Sequence, residues 1–415
     1  MMDTAPTLDA MRVLELVALL LGGGAVSGFL AQKLRVPDVV LYLLAGILLG
    51  PTGVGALLLP TGSAFSQMVL IFGASYILFE GGAGIRLVVL GEIWVSLVSI
   101  ATLGVAIMTV VTGTAAHWLL GLPLLPALLL GAVIASTDPA TLVPVFRQVH
   151  VKERLAQMVV AESAFNDAVG AVLTFALLAL AMGSTVTPAD ALLDVIVQAG
   201  IGLGLGAALG YLAAFLMGHE RYGFLREYAP LVTLMAVAGA YLGADGLHAS
   251  GFMAVFTAGI LVGNRERFGF ALAPGETRRL HEYVETTSLM LRMAIFMLLG
   301  AQVRFGVVSA HLLGGLAVVA VFMLLARPLT VLLCTAWDPR ARWSGRELLF
   351  LCWTRETGVI PGALAGMLLG QGAPEAETVA AVTFLAILST LLLQATSTRW
   401  LADRLGLLQH PNEGA

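Results

Sequence analysis

The sequence predicts an all-α polytopic membrane protein of about thirteen transmembrane helices, built as two inverted repeats with crossed discontinuous helices. Three observations carry that prediction. Of 415 residues, 59% are hydrophobic and only 12% charged, a balance far above that of water-soluble chains. Apolar segments of roughly 18–25 residues recur from end to end, long enough for a helix to cross the hydrocarbon core and about twice the length of a barrel strand. Two of these segments, far apart in the chain, are interrupted by proline, glycine and charge.

Taken in order, the spans are expected at about 8–31, 38–59, 64–85, 93–117, 124–146, 155–182, 190–217, 229–244, 248–263, 284–302, 309–335, 347–369 and 377–399. The chain opens with acids before the first apolar run and shows no cleavage pattern, so that run reads as a retained span entered from outside. Alternate loops then hold Lys33 and Arg35, Arg86, Arg147 with Lys152 and Arg154, Arg221 and Arg226, Arg265 to Arg279, Arg340 to Arg346, and Arg399 with Arg404. Only Arg12 and Arg304 fall near the opposite face. This asymmetry satisfies the positive-inside rule and predicts a cytoplasmic C-terminus in a cell (plasma or inner) membrane. The 47 glycines, as in the run from Gly202 to Gly210, suit close helix approach. Cys334 and Cys352 lie in apolar context and suggest neither a disulfide framework nor a metal cluster. After the last span only a short tail remains, 400–415, so no fused regulatory domain is expected.

The polar residues inside the spans carry the chemistry. In "ASTDPATLVP", Ala135 to Pro144, Pro139 and Pro144 each remove a backbone donor and clash with the preceding turn, so the fifth span should be two half-helices. The groups freed at that break must be satisfied by Ser136, Thr137, Asp138, water or an ion. The sixth span, "AESAFNDAVGAVL", places Glu162 above Asn166 and Ser163 above Asp167 at i,i+4 spacing, giving two adjacent polar stripes. Such oxygen donors suit a hard monovalent cation and are costly in lipid without a task. In the twelfth span, "CWTRETGVIPGALAG" combines Arg355 and Glu356 with a Gly358 and Pro361 break. If spans one to six and eight to thirteen are inverted repeats about the seventh, both broken spans are the fifth of their half, and their ends should meet the acidic sixth span at the midplane. Arg355 then has a partner in Glu162. Arg327 is expected to satisfy a carbonyl near the Pro328 kink, and Arg292 to contact the ion-side network.

At these residues the chain resembles the monovalent cation:proton antiporter superfamily, specifically its electroneutral Asn-Asp sodium/proton exchanger branch. The resemblance rests on Thr137-Asp138-Pro139 followed by Glu162-Ser163-x-x-Asn166-Asp167, and covers nearly the whole chain in span number and order. It implies that Asp167 binds cation and proton alternately, that Thr137 and Asp138 contribute to the site, and that Glu162 pairs with an arginine of the later broken span. The cation ligands expected are Asp167, Ser163, Thr137 and Glu162, with Asn166 and Asp138 beside them. One departure stands out. The family commonly shows Arg-Gly just ahead of the proline break, whereas "RETGVIP" sets Glu356 beside Arg355, so Glu356 is an alternative counter-ion for Arg355 or for Arg292.

The function implied is secondary active antiport of a monovalent cation, sodium first and potassium or lithium as alternatives, against protons by alternating access. Desolvation disfavours a charged carboxylate, so a buried aspartate can hold a proton near neutral pH yet surrender it to an incoming cation. Asn166, where a second acid would otherwise stand, favours one proton per cation. A cation channel is the rival reading, but no repeated filter-like loop is seen. A potassium-selective proton exchanger is the other. No Ser-His pairing, zinc-type histidine spacing or Gly-x-Ser-x-Gly occurs, so an enzyme is not expected, nor is a cofactor or a nucleic-acid partner. The division expected is 1–92 and 218–302 as scaffold and dimer-forming parts, 93–182 and 303–399 as a moving ion-binding core, and 183–217 as the linker helix of a homodimer.

Overall fold

The computed structural model describes residues 10–34, 36–60, 62–137, 152–183 and 188–408. The chain is an all-helical membrane bundle. Its helices are α1 (Ala10–Leu34), α2 (Asp38–Leu49), α3 (Ala64–Ala83), α4 (Leu87–Leu120), α5 (Leu124–Ile134), α6 (Glu153–Ala181), α7 (Pro188–Gly218), α8 (Ala229–Gly246), α9 (Gly251–Gly263) and α10 (Pro274–Ala301). There follow α11 (Phe305–Ala310), α12 (Leu312–Val321), α13 (Arg327–Thr335), α14 (Gly345–Trp353), α15 (Val359–Gly370), α16 (Ala376–Thr390) and α17 (Thr396–Arg404). Among the described residues, nine helices are long and apolar enough to cross a bilayer, and α2, α5, α9 and α15 are shorter apolar helices.

Local sequence explains the turns that set this packing. α4 stops at Gly121, whose φ of 69° is a left-handed cap that glycine adopts without a Cβ clash, and Pro123 opens α5 two residues later. The reversal lays α5 back against α4. There Gly131 permits the approach, since a Cβ on it would stand 2.4 Å from the Thr109 carbonyl oxygen. α9 is wedged between α7 and α3 in the same manner: a Cβ on Gly206 would meet the Ala254 carbonyl at 2.1 Å, and one on Gly259 the Phe79 carbonyl at 2.3 Å. The glycine-rich run of the seventh span is thus a packing face, as small residues in membrane helices commonly are.

α4, α5 and α6 pack on one another, with α12 and α13 against α4 and α16 against α5; α1 and α2 pack with α10, and α9 with α3, α7 and α8. A long-range polar contact joins α4 to the loop after α13. Asp338 accepts from the Ser96 hydroxyl at 2.6 Å and the Ser96 amide at 3.0 Å, and from the amides of Arg340 and Ala341. Burial alone pushes the Asp338 carboxyl up, but these donors outweigh it and hold the group below the ordinary carboxylate range. Its folded form is therefore favoured above the unfolded carboxyl's titration and loses that advantage as pH falls through the folded one. Asp338→Ala is expected to lower thermal stability at neutral pH by about 2 kcal/mol, the scale of hydrogen bonds to a charged acceptor. The gap between wild type and variant should narrow as the unfolding series is taken into the acid range; a gap constant with pH would contradict this account.

Candidate ion site at the helix breaks

α5 ends at Ile134. Ala135 closes the last turn and Ser136 and Thr137 run on without helical structure, as the prolines beyond them require. Asp138 and both prolines lie outside the described residues. In the second half of the chain α14 ends at Trp353, Thr354–Gly358 is unwound, and α15 begins at Val359. The two breaks touch: the Arg355 guanidinium donates from Nη2 to the carbonyl oxygen of Ala135. The contact joins the two interruptions that hold equivalent places in the sequence.

α6 closes the site from the side. Its Asn166 accepts the Thr137 amide at 3.1 Å through Oδ1 and donates through Nδ2 to the Thr137 hydroxyl at 2.9 Å. One turn earlier, Ser163 Oγ donates to the Thr137 carbonyl at 2.7 Å. A residue stripped of its helix therefore has both backbone groups satisfied by two side chains at i,i+3 on one neighbour, which lipid cannot do. Gly170 makes room for this approach, because a Cβ there would stand 2.4 Å from Ser136 Oγ. Asp167 follows Asn166 on the same helix, buried, and within electrostatic reach of Arg355. Thr137, Ser163 and Asn166 are thus brought together, with Asp167 alongside.

The charge pairing differs from the sequence expectation. Glu162 pairs with Arg327, not Arg355: both carboxylate oxygens face the guanidinium, with Nη2 to Oε2 at 2.9 Å and a second, shorter contact from Nη1 to Oε1. Arg327 Nε also donates to the Leu351 carbonyl at 2.9 Å, so the expected carbonyl contact exists but in α14 and beside an ion pair. The physical reason is a wide π turn, Phe322–Ala326, immediately before Arg327. Such a turn inserts a residue into the helical register and rotates the helix beyond it. It aims Arg327 at α6 and sets the Phe322 ring 5.0 Å from the Arg355 guanidinium carbon, a cation–π contact. Glu356 is buried in the unwound segment, whose Thr357 amide donates to Thr390 Oγ1 of α16 at 3.0 Å. Arg292 lies within electrostatic reach of Tyr42 of α2, whose hydroxyl donates to Asp38 at 3.3 Å. Arg327 is thus the functional charge that sequence reasoning assigns elsewhere. The available signal is an arginine in an apolar run, which demands a full counter-charge more than it demands a carbonyl.

The end of α5 in contact with the unwound segment between α14 and α15, flanked by a polar helix with buried carboxylates, fits a secondary transporter of the discontinuous-helix class. Comparison with known proteins narrows this. Residues 16–404 match the model of the family described as "Sodium/hydrogen exchanger, transmembrane". The chain is 30% identical over 406 residues to the K(+)/H(+) antiporter NhaP of Alkalimonas amylolytica, covering 94% of this chain and 68% of that one. It is also 30% identical over 427 residues to Na(+)/H(+) antiporter 1 of Methanocaldococcus jannaschii, covering 96% and 97%. The solved structure of the sodium proton antiporter MjNhaP1 from the same organism at pH 8 superposes with a TM-score of 0.83 at 29% identity, covering 95% of this chain and 98% of that one. The chain belongs to the sodium/hydrogen exchanger family, as a monovalent cation:proton antiporter of the NhaP type.

Proposed function

We propose that the chain exchanges sodium for protons one for one, with Asp167 as the carboxylate that holds each in turn. The observation that supports this most is the clasp on Thr137. Asn166 spends both amide atoms on it and Ser163 spends its hydroxyl proton on it, so both oxygens of Thr137 and the lone pairs of Ser163 lie at the break beside a buried acid. Glu162 has both oxygens on Arg327, which leaves cation binding to Asp167, Ser163 and Thr137, with Asp138 as the further acid of the proposed set. Cation and proton then compete for one group, and the cycle advances only when it is loaded with one or the other.

In this reading α4–α6 and α11–α17 form the moving core, α1–α3 and α8–α10 the scaffold through which two copies pair, and α7 the link between halves. The same reading has thirteen spans in the cell membrane, with the N-terminus outside and the C-terminus in the cytoplasm. Potassium is the competing cation, because two of the similar proteins are named for different ions, K(+) and Na(+).

Purified protein in proteoliposomes, followed with a pH-sensitive dye on addition of sodium, potassium and then lithium, with and without an imposed membrane potential, tests the reading. Sodium-driven proton movement indifferent to the potential is expected. A response to potassium alone would reassign the cation, and a rate that scales with potential would reject one-for-one exchange. Asp138→Asn should raise the half-saturating sodium concentration without abolishing exchange, since an amide retains the oxygen but not the full charge.

A further inference from the structure

Buried polar groups outside the ion site lie on the unwound segment at the second break and on the last span. Gln394 is 1% exposed, and among the described residues neither its Oε1 nor its Nε2 has a hydrogen-bond partner. The hydroxyls of Thr354 and Thr357, also buried, are unpartnered too. Their relative placement is set by two contacts that bracket them. Thr357 donates its amide to Thr390 Oγ1 at 3.0 Å, and Trp353 donates its indole N–H to Ser397 Oγ at 2.8 Å. Gln394 stands between Thr390 and Ser397 on the same strip of the last span, and Thr354 stands between Trp353 and Thr357 on the unwound chain. A second π turn, Leu391–Ala395, contains Gln394 itself.

Leaving a buried amide and two hydroxyls unsatisfied is costly, and native proteins pair such groups or hydrate them. The chemistry discriminates among occupants. An alkali cation could take the oxygens of Gln394, Thr354 and Thr357 but offers nothing to the two N–H groups of the amide. Water both donates and accepts. We infer that Gln394, Thr354 and Thr357 form an internal water site that completes the hydrogen bonding of the unwound segment 354–357.

The test reads water rather than transport, so its failure is distinct from failure of the antiport reading. Full-length protein in lipid nanodiscs is exposed to millisecond X-ray pulses, and hydroxyl-radical labelling is read at Leu391, which is 2% exposed and so is reached only by internal water. Labelling at the shortest exposures is expected in wild type and in Gln394→Asn, which keeps the amide, and several-fold less in Gln394→Leu. Equal labelling in wild type and Gln394→Leu overturns the inference. Because Gln394→Leu could fail to fold, an electron-microscopy map of the wild type that resolves ordered water decides independently. Density within hydrogen-bond reach of the Gln394 amide supports the site; an amide bonded directly to protein with no such density overturns it.

Discussion

Asp167→Asn is expected to stop cation and proton movement together while leaving the protein folded. The substitution preserves size and hydrogen-bonding oxygen, so packing around α6 should be unchanged. It removes the capacity to exist in two charge states. An amide cannot release a proton when sodium arrives, and it cannot supply the full negative charge that a dehydrated cation requires in a low-dielectric surrounding. Both legs of the cycle depend on the same group, so neither should survive alone. Dye-reported exchange in proteoliposomes should fall to the level of empty liposomes for sodium, potassium and lithium alike. Wild-type exchange in this variant would move the carrier role to another acid, and Glu162 would have to leave Arg327 to assume it.

The second large effect is on stability and arises from the Glu162–Arg327 ion pair. Arg327 is 1% exposed and pairs with both oxygens of Glu162. Arg327→Ala strands that carboxylate in the bundle, at a cost of roughly 3–5 kcal/mol. Arg355→Ala removes a donor from the Ala135 carbonyl and a cation–π contact with Phe322, for which roughly 1–3 kcal/mol is appropriate. Replacing both members, Glu162→Gln with Arg327→Met, should cost less than the sum of the single changes, because neither charge is then left alone. Thermal unfolding in detergent measures all of these. A larger loss for Arg355→Ala than for Arg327→Ala would return Glu162 to Arg355.

These two arginines also mark the boundary of what the sequence reveals. Both breaks are legible in it, because proline and glycine act through the local backbone wherever they stand. The polar face of α6 is legible as well, since helical spacing alone aligns Glu162, Ser163, Asn166 and Asp167. Which of those residues act together is less so. Spacing at i,i+4 suggests two stripes, whereas the clasp on Thr137 uses Ser163 and Asn166 at i,i+3, a choice set by where the neighbouring chain passes. The partner of Glu162 is out of reach for a different reason. It depends on a π turn at Phe322–Ala326 that shifts helical register by one residue, in a run of apolar side chains that gives no local sign of it. Gln394 is hidden in the same way by the π turn that carries it.

The central claim, that cation and proton compete for Asp167, is tested most directly by proton release. Purified protein in weakly buffered detergent near its titration range is mixed with sodium chloride, and released protons are counted against bound sodium. About one proton per cation is predicted for wild type, since the ligand must be deprotonated to bind, and none for Asp167→Asn. Sodium binding without proton release in wild type, or undiminished release from Asp167→Asn, would contradict it.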